Sequence, residues 1–410
     1  MKIVIKNNKK KFDFSLILSI LIVITYIIGG NALTFDLNNR MPIKVAEVLS
    51  IPLILINFKR ISFEKYEIRI IGWLLLGFVS TVIGALVFSY DFDEIIYGTL
   101  YIVRIVHLLV LTNIIYFIFQ QNDYNIIKYI KILYLIVCFI GFWQLMYYPV
   151  AFEYYSIFQE IGVDFKNPDP HIGRLLSTYF DPNFLAACLI IPYTIVITEW
   201  NKNGGMTNIV YLGIYTLTII LTVSRSGIIG ILIVSFISCF NFNFSLSKIK
   251  RVFFISCIGV ITLILNFSVS TRVLERLVNS SSDGSTWARF QSWYLGLEIW
   301  NKSPLIGIGY NMIGVFSNKM MGSSFLNSTG YGNDSSLLVI LITTGLIGII
   351  YLIWFILKEF IELKIYILDE KAKAYLACLF SFMVICNFNN LLFYTLWLFP
   401  ILLLRKAFCK

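Results

Sequence analysis

Long apolar segments recur along this chain, and they limit its fold more than any other feature. The first begins near Phe14, after a lysine-rich stretch, and continues for about 20 residues, the length that crosses a bilayer. Of the 410 residues, 58% are hydrophobic and 14% are charged, whereas about a quarter of the residues in a soluble domain are charged. These values exclude a soluble globular fold and predict an all-α polytopic membrane protein.

Twelve segments have the length and hydropathy of transmembrane helices. We place them at 14–33, 42–57, 68–89, 95–119, 126–148, 180–198, 206–223, 226–243, 252–269, 334–357, 373–389 and 390–404. The predicted organisation has three parts. They are nine helices in 1–269 with a smaller external loop at 149–179, a large extracytoplasmic loop with short helices at 270–333, and three helices with a cytoplasmic tail in 334–410.

The distribution of Lys and Arg predicts the orientation, because cytoplasmic connections are rich in both residues. With both termini in the cytoplasm, 22 of the 33 basic residues fall on the cytoplasmic side. This asymmetry explains most of the net charge of +10, so nucleic acid is not an expected partner. With two histidines and no Cys/His cluster, neither a metal site nor a cofactor is expected.

Several arginines remain on the predicted outer side, where the topology rule does not require them. They are Arg174, Arg225, Arg272, Arg276 and Arg289. A guanidinium group can bind two phosphate oxygens at once, whereas a lysine acts as a point charge. Arg225 lies in a Ser-Arg-Ser-Gly turn between two apolar helices, where it is either a ligand-binding residue or an anchor that extends to the headgroups.

The large loop has its own predicted local structure. A helix capped by Ser285 or Thr286 and limited by Pro304 is expected, with Arg289 away from its aromatic face. That aromatic face consists of Trp287, Phe290, Tyr294 and Leu297. A short amphipathic helix is expected around Arg272 and Arg276. Asp334 opens the tenth span, either as an N-cap or as a general base.

Two ionisable residues within predicted spans suggest an internal ion pair. Arg104 lies in the fourth predicted helix and Glu47 in the second. Their compatible depths favour a structural pair, since an unpaired charge inside a membrane is costly.

Four blocks in order along the chain resemble the O-antigen ligase and polymerase superfamily. They are Arg174–Ala186, Thr222–Gly230, Arg289 through Tyr310, and Asp334 through Gly348. The resemblance implies a metal-independent, membrane-embedded glycosyltransferase of the GT-C type. Members act on undecaprenyl-diphosphate-linked glycans outside the bacterial cytoplasmic membrane, so a multi-pass protein of that membrane with an external active site is expected.

The resemblance also implies roles for individual residues. Arg225 and Arg289 are expected to bind the donor diphosphate, and Asp334 to orient or deprotonate the acceptor, which makes these three the expected catalytic residues. The expected substrate-binding residues are Arg174, Arg272, Arg276, Asn183 and Tyr310. Lipid A ligases have a histidine followed by asparagine where this chain has Asp334 and Ser335, and this difference favours the polymerase branch.

The expected function is therefore polymerisation of lipid-linked oligosaccharide repeat units into O-antigen or capsular polysaccharide, with undecaprenyl diphosphate as the leaving group. Membrane lipids and a chain-length regulator protein are expected partners. Two alternatives remain open. One is a ligase that transfers the glycan to lipid A core or protein, and the other is a flippase for lipid-linked oligosaccharides, although the sequence shows no two-fold internal repeat.

Overall fold

The computed structural model describes residues 14–37, 41–160, 163, 171–239, 284–321, 335–364 and 369–409. Within these ranges the chain forms fourteen α-helices, one β-hairpin and two 3-10 turns. The first helices are α1 (Phe14–Ile27), α2 (Val45–Asn57), α3 (Lys65–Phe88), α4 (Phe92–Gln121), α5 (Ile126–Tyr147), α6 (Ala151–Glu160) and α7 (Pro182–Asn203). The others are α8 (Met206–Leu221), α9 (Arg225–Cys239), α10 (Gly284–Trp300), α11 (Ile313–Met321), α12 (Ser336–Lys364), α13 (Glu370–Ile385) and α14 (Thr395–Phe408).

The predicted spans agree closely with these helices. Eleven of the twelve correspond to a helix, and the fifth differs by one residue at its end (predicted 126–148, observed Ile126–Tyr147). Five helices are long and apolar enough to cross a membrane, namely α3, α4, α5, α7 and α12. The chain is thus a helical, multi-pass membrane protein. The span at 252–269 lies outside the described residues, and the number twelve, the orientation and the three-part division stay predictions.

Capping residues explain where several helices begin. Asp181 precedes α7, and its carboxylate accepts hydrogen bonds from the amides of Asn183 and Phe184 at 2.7 and 3.1 Å. Pro182 occupies the first position of α7, where the missing amide hydrogen has no cost. Asn125 caps α5 in the same way, by accepting from the amide of Ile127. These side chains satisfy amides that a helix leaves without partners at its N-terminus.

The bundle has two ends. We call the end at which α7, α9 and α12 begin the site end, and the opposite end, at which Glu359 lies, the far end. At the far end, buried Glu359 accepts hydrogen bonds from Arg69 at 2.9 Å and Arg405 at 2.5 Å. The buried Lys406 ammonium lies 2.9 Å from the fully buried Glu67 carboxylate. These ion pairs join α3, α12 and α14, since a charge can be buried here only if it is paired.

Helix α12 is broken near its middle, at Gly345, where φ is 65° and ψ is −164°. The break separates two amide donors, Leu346 and Ile347, from the carbonyls four residues earlier, Ile342 and Thr343. A segment after α10 supplies new partners for these amides and carbonyls. Its carbonyls at 304 and 305 accept from the amides of Leu346 and Ile347 (2.9 and 3.1 Å), and its amides at 308 and 309 donate to the carbonyls of Ile342 and Thr343 (3.0 and 3.1 Å).

Helix α3 holds the other side of this inserted segment. The Ser80 hydroxyl donates to the carbonyls of Ile306 and Thr343, at 2.7 and 2.6 Å. The Thr81 hydroxyl accepts from the Tyr310 amide at 2.9 Å. Gly84 allows the close approach, since a Cβ there would lie 2.4 Å from the Ile308 carbonyl oxygen. The segment is thus fixed between α3 and α12.

A β-hairpin precedes α2, in a region that the sequence predicted as wholly helical from residue 42. Strands β1 (Thr34–Leu37) and β2 (Met41–Lys44) pair antiparallel, with Thr34 opposite Lys44. The predicted ion pair is confirmed, because the Arg104 Nε atom lies 2.8 Å from the Glu47 carboxylate. Arg104 also donates to the carbonyl of Pro42, which ties the hairpin to α4.

Candidate functional site

Three helix N-termini meet at the site end, and they carry the polar residues that the sequence singled out. Helix α7 begins at Pro182, α9 at Arg225 and α12 at Ser336. A helix N-terminus bears partial positive charge, although the amides of Asn183, Phe184, Gly227 and Ser336 already donate to protein acceptors here. Together with nearby arginines, this arrangement is suited to a negatively charged ligand.

Arg174 is buried and connects two of these elements. Its Nε atom donates to the Thr222 carbonyl at 2.8 Å, and one Nη atom donates to the Asn183 side-chain oxygen at 3.0 Å. The other Nη atom lies 3.4 Å from His171 Nδ1. The acceptors of the two shorter bonds are uncharged oxygens, and these bonds orient the guanidinium group.

The turn before Arg225 has an unusual backbone. Val223 adopts φ of 53°, a left-handed conformation that is strained for a β-branched residue and is found most often at functional sites. The Ser224 hydroxyl accepts from the Gly227 amide at 3.3 Å and lies 3.1 Å from the Ser226 hydroxyl. Ser224 and Ser226 are buried whereas Arg225 is partly exposed, so the turn directs Arg225 away from the core.

Helices α7 and α9 approach each other closely just below this turn. A Cβ at Gly227 would lie 2.6 Å from the Ala186 Cβ, so only glycine allows this spacing. Asn183 lies one turn before Ala186 on α7, and Arg225 lies two residues before Gly227 on α9. The packing therefore brings Arg174, Asn183 and the Arg225 turn together.

The connection between α13 and α14, residues 386–394, joins α9 and α12. We call it the hub turn. The side-chain amide of Asn389 donates to the Ser226 hydroxyl at 2.9 Å, and the backbone amide of Ser336 donates to the Cys386 carbonyl at 2.7 Å. The Ser336 hydroxyl in turn accepts from the Leu392 amide at 3.2 Å. The starts of α9 and α12 are thus held to one short segment.

Tyr394 extends the hub turn to the first helices of the chain. Its hydroxyl accepts from the Asn31 amide at 3.1 Å, and its ring centroid lies 4.3 Å from that of Phe184. The same Asn31 amide nitrogen donates to the Tyr179 carbonyl at 2.7 Å, while the Lys44 ammonium donates to the Asn31 oxygen at 3.0 Å. The residues after α1 therefore help to position the start of α7.

The hub turn was not predicted from the sequence, because residues 387–390 were divided between two predicted spans. The signal was present in the sequence as Asn-Phe-Asn-Asn, three amide side chains between two apolar helices. Polar side chains at such a position need partners. Ser226 and Ser336, which the hub turn contacts, were likewise not singled out as site residues.

The remaining predicted site residues fall into two groups. Arg289 lies on α10 and is partly buried, and its backbone carbonyl accepts from the Ser292 hydroxyl at 2.9 Å. Tyr310 is fully buried, with its ring 5.7 Å from Trp73 and 5.5 Å from Phe393 of the hub turn. The others lie outside the described residues, and they are Asp334, Arg272 and Arg276.

An apolar cavity of about 290 Å³ runs from the site end towards the far end. Ser336 borders it at the site end and Glu359 at the far end, and helices α3, α12, α13 and α14 form its walls. Trp73, Phe355, Leu398 and Ile401 are among its side chains. A lining of this kind suits a hydrocarbon chain. Among the described residues, no cluster of His, Cys, Asp or Glu has the composition of a metal site.

Comparison with known proteins connects this geometry to a family. Residues 210–353 match the family model described as O-antigen ligase. The match supports a relationship between this region of the chain and the O-antigen ligase and polymerase superfamily. No curated protein matches the chain.

The matched region covers only part of the site. It includes Arg225, Arg289, Tyr310 and the start of α12, whereas Arg174, Asn183 and the hub turn lie outside it. The O-antigen ligase match indicates a glycosyl-transferring membrane enzyme of polysaccharide or lipopolysaccharide biosynthesis. It is shared by polymerases and ligases and does not distinguish them.

Proposed function

We propose that this protein polymerises undecaprenyl-diphosphate-linked oligosaccharide repeat units into O-antigen or capsular polysaccharide, on the outer face of the bacterial cytoplasmic membrane. The main support is the placement of Arg174 and Arg225 where the N-termini of α7, α9 and α12 meet. This is a positively polarised region at the end of a membrane bundle, as the diphosphate of a lipid-linked donor requires.

The apolar cavity supports a substrate that combines a charged head with a hydrocarbon tail. It borders Ser336 of α12, and the hub turn connects Ser336 to Ser226, the residue after Arg225. A donor bound with its diphosphate near Arg225 has an apolar route for its isoprenoid chain next to α12. A soluble nucleotide-sugar donor would not need this route.

The proposed reaction transfers one glycan chain onto another. A hydroxyl oxygen on the terminal sugar of the acceptor repeat unit attacks the anomeric carbon of the donor glycan. The bond between that carbon and the diphosphate oxygen breaks, and undecaprenyl diphosphate leaves with the bonding electrons. Asp334 takes the hydroxyl proton, and Arg225 and Arg289 stabilise the negative charge on the leaving group.

Arg174 would act on the same charge from a fixed position. Its bonds to Thr222 and Asn183 hold the guanidinium group before the substrate arrives. A preorganised cation costs little reorganisation during the reaction, and this is the main source of electrostatic catalysis. Fixed arginines thus take the role that a metal ion has in many nucleotide-sugar enzymes.

The size distribution of surface polysaccharide in cells tests this proposal. A strain without the protein is expected to display single repeat units, and so are strains with Arg225→Ala or Arg289→Ala. Each variant needs a membrane-fraction blot to show normal insertion. Long chains from an inserted Arg225→Ala variant would contradict the proposal, and full chain length with Asp334→Asn would remove Asp334 from the reaction.

The second candidate is a ligase, since the matching family model is described as O-antigen ligase. It would use the same donor site but a different acceptor, either lipid A core or a protein. In that case a strain without the protein would keep long chains on the lipid carrier and lose all glycan from the final acceptor. A flippase would instead leave repeat units on the cytoplasmic face.

A further inference from the structure

The segment that pairs with the broken helix lies deep along the bundle axis, although the sequence places it in an extracytoplasmic loop. Ser80, which bonds to Ile306, lies eight residues before Phe88, the last residue of α3. At 1.5 Å per residue this distance is about 12 Å. Leu346, which bonds to Pro304, lies ten residues after the start of α12, or about 15 Å.

Charged residues mark the membrane boundary at the site end. The Lys319 ammonium lies 2.9 Å from the Glu94 carboxylate and 3.3 Å from Asp91, just after α3 ends. Half of a hydrocarbon core is about 15 Å thick. The two depths above therefore place Pro304 and Ile306 within the hydrocarbon of this leaflet, close to its inner limit.

The side chains beside this segment face lipid. At the same depth, α3 exposes Val79 (49%) and Val82 (40%), and α12 exposes Ile347 (45%). Both helices have the length and composition of transmembrane spans, so exposed apolar side chains at their middle contact acyl chains. Leu305, in the turn itself, is 63% exposed and continues the same surface.

Several backbone groups of the turn have the protein partners that polar groups need in a lipid environment. The Pro304 carbonyl accepts from the Leu346 amide at 2.9 Å and from Trp300 Nε1 at 3.0 Å. The Leu305 carbonyl accepts from Ile347, and the Gly307 amide donates to Ser303 at 2.9 Å. Proline itself has no amide hydrogen to satisfy.

Helix α10 leads into this turn and has two different faces. Its exposed face is mainly aromatic, with Trp287 at 66%, Phe290 at 55%, Tyr294 at 68% and Leu297 at 45%, and it also carries the exposed Gln291 and Glu298. On the other side, Ile299 is buried and Leu295 is partly buried in the cluster that includes Val339 and Ile342 of α12. At 100° per residue Arg289 lies about 200° from Trp287, which places it on the inward side.

We propose that α10 and the turn at 301–306 form a re-entrant helix and turn in the leaflet at the site end, with the aromatic face of α10 against phospholipid. Trp and Tyr side chains favour the interface, where an apolar ring and a polar tip are both accommodated. Embedding the aromatic face directs Arg289 towards the bundle. Lys302 is exposed in the turn, and local thinning of the leaflet together with its long stem would bring the ammonium to the headgroups.

Site-directed labelling in lipid nanodiscs tests this placement in the full chain. Leu297→Cys and Leu305→Cys are labelled with bimane, and quenching by lipids brominated along the acyl chain is measured. Ile350→Cys on α12, 65% exposed, is the lipid-facing control, and Ile172→Cys, 66% exposed, is the water-facing control. Cysteines 138, 188, 378, 386 and 409 are buried, and all labelling is compared with the parent chain.

We expect Leu297→Cys and Leu305→Cys to be quenched as strongly as Ile350→Cys. Neither should react with a charged, membrane-impermeant maleimide above the parent background, whereas Ile172→Cys should react fully. Reaction of Leu305→Cys at the Ile172→Cys rate would put the turn in water and overturn the proposal. Absence of both quenching and reaction would show a cover of protein, either this chain or a second copy, and would also overturn it.

A second position guards against a poorly folded variant. Tyr294→Cys lies on the same face of α10 and should give the result expected for Leu297→Cys. Each variant is used only if it elutes as the parent does in gel filtration. The test depends on no assay of glycosyl transfer, so its outcome is separate from that of the proposed function.

Discussion

Gly345 is the residue on which the exchange between α12 and the inserted segment depends most. A Cβ at this position would lie 2.2 Å from the Leu305 carbonyl oxygen. The backbone angles of 65° and −164° belong to a region that essentially only glycine occupies. Gly345→Ala therefore tests whether the break in α12 is needed to keep the inserted segment in place.

The structure gives the size of the effect. Forcing alanine into this backbone region costs about 1–3 kcal/mol. If α12 straightens instead, it regains its own bonds, but the carbonyls of Pro304 and Leu305 and the amides of Ile308 and Gly309 lose their partners. Each buried polar group left unpaired costs about 1–3 kcal/mol. We therefore expect a loss of at least about 1 kcal/mol if the break is kept and at least about 4 kcal/mol if α12 straightens.

Thermal unfolding in detergent, followed by gel filtration, measures this loss. At about 2 °C per kcal/mol, the low end for larger domains, the apparent melting temperature should fall by at least about 2 °C if the break is kept and by about 8 °C or more if α12 straightens. Gly213→Ala is the matched control, because no atom lies within 4 Å of a Cβ built there in the middle of α8, and alanine favours a helix. An apparent melting temperature of Gly345→Ala equal to those of the parent and of Gly213→Ala would contradict this expectation.

Three further substitutions test other parts of the structure. Glu359→Gln should cost about 3–5 kcal/mol in thermal unfolding, since buried Arg405 loses the carboxylate that it bonds to, while Arg69 keeps its bond to Glu362. Glu362→Gln, 36% exposed, should cost under about 1 kcal/mol. Asn389→Ala should lower kcat/KM about fivefold by freeing the start of α9, whereas Asn387→Ala, whose amide bonds to the carbonyl of Met383, should leave it unchanged. Arg174→Lys should lower kcat about 100-fold with little change in melting temperature, because a lysine cannot bond to both the Thr222 carbonyl and the Asn183 side-chain oxygen in the geometry of the guanidinium group. Activity equal to that of the parent would show that Arg174 is not part of the site.

Local pattern was enough to predict most of the helices. The predicted span at 206–223 is observed as Met206–Leu221, and the turn at 224–227 is where α9 begins. Apolar length and helix-ending residues are local properties, which explains this agreement. The Arg104 and Glu47 pair was predicted for a similar reason, since two isolated charges at similar depth have few other partners.

Pairings between distant segments could not be read from the sequence. The span predicted at 334–357 contains Thr343, Thr344 and Gly345, but glycine is common inside continuous spans, and nothing local shows that Gly345 breaks the helix. The Gly-Ile-Gly run at 307–309 pairs with α12, more than 30 residues away. The hairpin at 34–44 is local, but it was missed because residues 42–44 were assigned to the second span.

The candidate site was predicted in part. Arg174 and Arg225 were chosen from residue type and topology and Asn183 from the family resemblance, and the structure brings their elements together. The residues that join these elements, Asn389 and Ser336, act through hydrogen bonds across the bundle. Such contacts have no local signature beyond a polar residue between apolar helices.

The most direct test of the proposed function uses the purified protein in nanodiscs with one defined lipid-linked repeat unit. We expect a ladder of glycans on the lipid carrier, with one undecaprenyl diphosphate released for each glycosidic bond formed. The same preparation with Arg225→Ala should give no ladder. Release of the carrier only after a lipid A or protein acceptor is added would contradict the polymerase assignment, and a ladder of normal length with Arg225→Ala would contradict the role of this site.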